Sequence, residues 1–298
     1  MIDAFLAAWL MAIAAVPAWF PQDPARRPAA SDVRTRDVFV SVLDNKDAPV
    51  NGLAAADFAV REDGVSREVL QAGPATAPLQ VVLLVDDSEA LTPALQPMRE
   101  GLNKFVDKMQ GHGEIGLVTF GERSTSVVPS TTDPALLKRG INRIFARPGS
   151  GAYMLDAIRE VSQGFAKRKA ERPVIVAVYL EGVEFSNLQY DTVLKDLEAS
   201  GATLHVLSVG MPSASLSDEM RNLNMVIAEG TKRTGGRRDQ VMAVSGLAEA
   251  LPEVADELLH QYVVTYGRPD TLIPPEKIQV TVTRPGLTVR SRTRIAGR

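Results

Sequence analysis

The chain of 298 residues contains no cysteine. That absence excludes disulfides, thiolate metal sites, iron–sulfur clusters and a cysteine nucleophile together. Histidine is nearly as scarce: His112, His205 and His260 are the only three. No two have the spacing of an HExxH helix, which argues against a zinc hydrolase. An excess of positive charge is also missing. Lys+Arg total 33 and Asp+Glu 36, for a net charge of −3 and a sequence pI near 5.8, whereas nucleic-acid-binding domains are commonly strongly basic. What remains is an ordinary globular balance, 45% hydrophobic and 23% charged, which excludes extended disorder and collagen-like structure. The length suits about two domains.

Residues 4–19, FLAAWLMAIAAVPAWF, form the longest apolar run. A membrane span needs about 20 such residues. The run instead has the form of a secretory signal segment with small residues at Val16 and Ala18, although its n-region carries Asp3 and no Lys or Arg. We expect residues 1–18 to be a signal peptide and the protein to be exported, to the periplasm or outside the cell. The alternative is an uncleaved anchor, the one route by which the chain would touch a membrane. Residues 19–35 are Pro/Ala-rich and read as a linker.

Period-two alternation marks strands at both ends. Val38–Leu43 comes first, then runs around Phe58–Val60 and Val65–Leu70, with Asp63-Gly64 between them as a hairpin signal. Gln261–Tyr266, Lys277–Thr283 and Leu287–Arg292 alternate likewise, and Pro285-Gly286 supplies the last turn. Neither end could bury a face alone, so residues 36–76 plus 262–298 are predicted to join as an accessory antiparallel β-sandwich.

The middle, residues 77–261, follows a different rule. Leu79–Val85, Ile115–Phe120, Val174–Leu180 and Thr203–Val209 are continuous apolar runs, as in strands covered on both faces. A short strand at Gln240–Val244 follows. Helical periodicity fills the intervals: Leu95–Met109, a helix after Pro134, Met154–Phe165, Asp191–Ser200, a segment ending about Ala228, and Leu247–Leu259. This alternation predicts an α/β fold, a doubly wound, mostly parallel sheet. Ligands of such sheets bind at the carboxyl ends of the strands. Asp86-Asp87-Ser88-Glu89, Gly149-Ser150-Gly151 and Glu181-Gly182 are the polar segments placed there.

Several other signals have plain structural readings. Gly111–Gly116 matches GxGxxG, but it follows a helix and precedes a strand, the reverse of a dinucleotide-binding turn. The basic cluster Lys232-Arg233 and Arg237-Arg238 around Gly235-Gly236 reads as a solvated helix end. It lacks the interleaved aromatics of a nucleic-acid site, and no nucleic-acid partner is expected. His205 lies inside an apolar strand and reads as a core histidine.

LQVVLLVDDSEA at 79–90 resembles the opening of a von Willebrand factor A domain, in which a buried strand leads into an Asp-x-Ser-x-Ser metal motif. Leu117–Phe120 (LVTF), Leu155–Ile158 (LDAI) and Thr234–Arg237 (TGGR) are similar to further segments of that family. The flanks resemble a bacterial subgroup, the acidobacterial-type proteins related to that domain. The resemblance implies a binding or adhesion-type protein with a metal-ion-dependent adhesion site. Asp86 and Ser88 match that site's motif, but Ala90 replaces its second Ser, Ala152 its Thr, and Glu181 its later Asp. We therefore expect a degenerate site at Asp86, Ser88 and Glu181, with weak Mg²⁺ binding or none, since Mg²⁺ demands near-octahedral oxygen geometry. No catalytic residue or other cofactor is expected. The partner would be a protein or cell-surface ligand. The competing functions are a structural envelope protein and a hydrolase using Ser88, which would need a nearby histidine and lacks the GxSxG elbow.

Overall fold

The computed structural model describes residues 33–211, 217–269 and 275–295. The expected signal peptide and most of the expected linker lie outside them. Among the described residues no helix is long and apolar enough to cross a membrane.

The central sheet has six strands: β5 (Leu79–Val85), β6 (Gly113–Thr119), β7 (Thr125–Thr131), β8 (Pro173–Leu180), β9 (Thr203–Val209) and β10 (Arg238–Val241), in spatial order β10-β9-β8-β5-β6-β7. All neighbours are parallel except β6 and β7. Alternate residues of each apolar run enter opposite cores. Val81, Leu83 and Val85 join the helices α1 (Leu95–Met109), α2 (Pro134–Asn142) and α7 (Leu247–Leu259), while Val82 and Leu84 join α3 (Met154–Arg168), α4 (Tyr190–Ser200) and α5 (Asp218–Met225). β8 divides in the same way, Val176 and Val178 to one side and Ile175 and Ala177 to the other. The continuous hydrophobic runs are thus explained by burial on both faces.

The sequence gives no sign of β7, which is antiparallel, at the sheet edge, and carries Pro129. An edge strand tolerates proline because one side of its backbone has no ladder to complete. The helix after β9 also runs further than expected. A π-turn at Val226–Gly230 carries it into α6 (Thr231–Thr234), and it stops at Gly235, whose φ of +80° is open mainly to glycine. β10 consequently begins at Arg238, two residues before the expected start.

The flanks pair with each other. β1 (Val33–Leu43) runs antiparallel to β11 (Tyr262–Pro269) from Val33↔Pro269 to Val40↔Tyr262. It therefore starts at Val33, five residues before the expected run, and the end of the expected linker belongs to it. β4 (Val69–Pro74) and β13 (Thr288–Ser291) complete this four-stranded sheet, and β2 (Phe58–Glu62), β3 (Val65–Arg67) and β12 (Ile278–Val282) form a second. Asp63 and Gly64, both at positive φ, make the β2–β3 turn. Val38, Val40, Phe58, Val60, Tyr262 and Val264 fill the core of this part.

These sheets sit at the amino ends of the central parallel strands. Arg172, just before β8, is buried there. Its guanidinium donates to the carbonyls of Ala75, Ala77 and Leu258 and to Gln261 Oε1, and lies over the Phe39 ring. One side chain thus holds both chain crossings between the two parts. Arg290 of β13 reaches Glu257 of α7 at 2.8 Å, and Glu257 also faces Arg237. The opposite pole, at the carboxyl ends of the strands, is left open.

Candidate functional site at the strand carboxyl ends

Asp86 is the first residue beyond β5. Its amide continues the ladder to the Val178 carbonyl, and its carboxylate turns back into the protein, accepting from Ser88 N at 2.9 Å and Leu180 N at 3.1 Å. Asp86 and Ser88 are both buried. Burial pushes the Asp86 carboxyl up to about 6, against the opposing pull of hydrogen bonds from Ser88 and Leu180.

Asp87 faces another way. Its Oδ1 accepts from Gly121 N and its Oδ2 pairs with Arg147 at 2.7 Å, and Arg147 also contacts Glu122. This ties the loop after β6 and the loop before α3 to the end of β5. A Cβ on Gly121 would lie 2.6 Å from Ser88 N, so only glycine permits that approach. Glu89 accepts from Gly149 N, bringing the expected Gly149–Gly151 segment to the same place.

The segment after β8 completes the rim. Ala152 N donates to Val183 O and Phe185 N to Ala152 O, so the approach to α3 pairs with residues 183–185 in strand fashion. Glu184 is buried and accepts from Met154 N and Leu155 N at the start of α3 and from Ser186 N. A helix N-terminus suits an anion, but burial dominates and pushes this carboxyl up to about 7. Glu181 is half-buried, its amide on Val209 O and its side chain beside Gly210. Ala90 lies against Gly182.

The three polar segments expected at the strand ends do converge. Asp87, Arg147 and Glu184, which carry most of the connections between them, were not singled out as site residues. Asp87 was legible as half of an Asp-Asp doublet. Nothing in the sequence says that Glu184 rather than Glu181 would cap α3. Ala90 and Ala152 supply no side-chain oxygen, and Asp86 already accepts a backbone N–H on each oxygen. Among the described residues no group of three or more His, Cys, Asp or Glu side chains is placed to hold a metal ion.

The histidines lie elsewhere. His112 is in the turn from α1 to β6, at the opposite pole, and His260 follows α7. His205 is fully buried in β9, and its Nδ1 accepts from Arg237 N. Burial holds its imidazole down to about 3.

An open, mostly parallel sheet wound on both faces, with an Asp-x-Ser turn at the end of its first strand and tethered loops around it, defines a class of doubly wound α/β domain. Within that class, residues 81–179 match the model of the von Willebrand factor type A domain. A UPF0353 protein from Mycolicibacterium paratuberculosis is 26% identical over 158 residues, 47% of each chain. The chain therefore spans about half the length of the curated relative it matches. Among solved structures, the von Willebrand factor type A protein of Catenulispora acidiphila aligns over 88% of this chain and 74% of its own, with a TM-score of 0.50 at 13% identity. Proximal thread matrix protein 1 from the mussel byssus, solved with a zinc-occupied adhesion-site motif, aligns over 66% of this chain and 49% of its own, with a TM-score of 0.50 at 14% identity. At these identities the likeness is one of fold.

Proposed function

We propose that the protein is an exported, non-enzymatic binding protein whose A-type domain engages a protein or cell-surface ligand at the strand carboxyl ends. The observation that carries this reading is the apolar character of that rim. Val183 and Phe185 follow β8, Met211 follows β9 and Met242 follows β10, and their exposures range from 49% to 69%. Large apolar side chains left in water on adjacent loops are characteristic of interaction surfaces, and Phe and Met are favoured in interface cores. Phe185 also packs against Tyr153, their ring centroids 5.9 Å apart.

The donor set at Asp86, Ser88 and Glu181 does not fit a tightly held Mg²⁺. Two hydroxyl positions are alanine, and both Asp86 oxygens are engaged by backbone donors. The ligand is accordingly bound through the apolar rim, without a bridging metal. The distance of all three histidines from Ser88 in the fold supports a non-enzymatic role, since a serine nucleophile needs a base within hydrogen-bond reach. Export rests on the N-terminal apolar run.

The test is capture of partners from the native envelope fraction by the full chain, with Mg²⁺ and with EDTA. We expect a saturable partner in both conditions, lost with the double variant Phe185→Ser/Met242→Ser. Failure to retain any saturable partner, or retention that EDTA abolishes, would overturn the reading.

A further inference from the structure

The basic cluster at Lys232-Arg233 was expected to be a solvated helix end. The fold gives it a setting the sequence does not show. α6 faces the antiparallel sheets across a cleft of about 920 Å³. One wall is Glu229, Lys232 and Arg233 of the central domain. The other comes from the end of β2 (Arg61), the β2–β3 turn (Asp63), the two residues before β12 (Glu276, Lys277) and Arg294 beyond β13.

The charges of this cleft do not balance. Five cations face three carboxylates, and each carboxylate is already engaged. Asp63 accepts from the backbone N–H groups of Glu276 and Lys277. Glu229 pairs with Arg233 at 3.0 Å, and Arg233 also holds Glu198. Glu276 faces Arg294 at 3.9 Å. Arg61, Lys232 and Lys277 are exposed and form no ion pair among the described residues. Three unpaired cations therefore line one concave surface of a chain whose net charge is negative.

We propose that this cleft binds an acidic polypeptide segment, with Lys232 on one wall and Arg61 and Lys277 on the other as its carboxylate contacts. Concavity matters because converging charges of one sign reinforce their field in a cleft between low-dielectric walls. The carboxylates interspersed among the cations suit a peptide, whose charges are spaced and mixed with amide donors, better than a continuous phosphate chain. Among the described residues no aromatic side chain lines the cleft to stack bases, as single-stranded nucleic-acid sites require. The surface lies at the pole opposite Asp86 and does not depend on the rim described above. An occupant would touch both parts of the molecule.

The experiment is fluorescence anisotropy of a labelled deca-glutamate peptide with the full chain, titrated with salt. The double variant Lys232→Glu/Lys277→Glu is compared with Lys46→Glu/Lys167→Glu, which makes the same charge change on exposed lysines outside the cleft. Saturable binding that weakens with salt is expected. The cleft variant should weaken it by about tenfold or more, from the loss and reversal of two charge contacts, and the control by less than about twofold. Inorganic polyphosphate and a single-stranded oligonucleotide are run as competitors and should displace the peptide poorly. Absence of saturable peptide binding, equal loss in the two double variants, or displacement by polyphosphate or oligonucleotide more effective than by unlabelled peptide would each overturn the assignment. None of these outcomes touches capture of a partner at the rim, so the two readings fail separately.

Discussion

The two poles of the central sheet treat buried charge in opposite ways. At the amino ends, arginines are the connecting groups, and they close a seam. Arg172 spends its guanidinium on four neutral acceptors from both chain crossings, and Glu257 lies between Arg237 and Arg290. At the carboxyl ends, carboxylates are the connecting groups. Asp86, Asp87 and Glu184 each draw backbone N–H groups of loops toward themselves. The seam joins the central sheet to the antiparallel sheets. The rim fixes loops in place and leaves their apolar side chains in water. Buried polar groups hold both poles together, but the poles present different surfaces, cations in a cleft at one and apolar side chains on loops at the other.

Breaking the seam should have the largest effect. Arg172→Ala leaves four acceptors, two of them buried, without this donor, and we expect a loss of about 3–5 kcal/mol in urea unfolding. If it costs under about 1 kcal/mol, Arg172 does not hold the crossings. We further propose that residues 77–261 fold alone, less stably than the full chain, because the six-stranded sheet and both of its helix layers are contained in them. Circular dichroism of that fragment decides this, and an unfolded fragment would place the boundary elsewhere.

The rim can be altered toward metal binding. Ala90→Ser, Ala152→Thr and Glu181→Asp together restore two hydroxyls and the shorter carboxylate. Ala152 is 1% exposed, so the added atoms at that position cost about 1–3 kcal/mol in overpacking. A site that then binds only in the folded state gains about 2.7 kcal/mol at a cation concentration 100-fold above Kd. The triple variant should melt lower than the parent without metal and recover with Mg²⁺ or Mn²⁺, while the parent shifts little. A large shift in the parent would show that Asp86, Ser88 and Glu181 suffice.

Acid distinguishes the poles by sign. His205, near the seam, has its folded-state value depressed to about 3 from 6.5. Its contribution is present above pH 6.5 and is lost as pH falls, by about 2 kcal/mol at pH 5. Asp86 and Glu184, at the rim, have values raised to about 6 and about 7. Their contribution is full below about pH 4 and is lost as pH rises through those values. Denaturation of the parent and of His205→Gln at pH 7 and pH 5 should show the variant losing about 2 kcal/mol less on acidification. Parallel pH dependences would remove His205 from the account. The smallest effect belongs to the rim surface. Phe185→Ser should change stability by no more than about 1 kcal/mol, while weakening partner capture.

The main elements of the central sheet were legible because burial on both faces leaves an unmistakable apolar run, as in β5 and β8. β7 was not, because an edge strand with polar residues and a proline has no such constraint. The Asp63-Gly64 hairpin was legible because its backbone conformation restricts which residues can occupy it. At the site, Asp86 and Ser88 stood out through the local spacing of a turn that must follow its strand. Glu184 did not, since its role depends on a helix start some thirty residues earlier.

By itself, then, the sequence determined what local sterics and periodicity control: the strands, the helices, their alternation, and the acidic turn after the first buried strand. Only the tertiary structure decided which distant groups meet. It placed Arg172 against residues 75–77 and 258–261, gave Glu184 its helix, and set Lys232 across a cleft from Arg61 and Lys277. Such pairings depend on directions in space between segments far apart in the chain, and no spacing within a single segment encodes them.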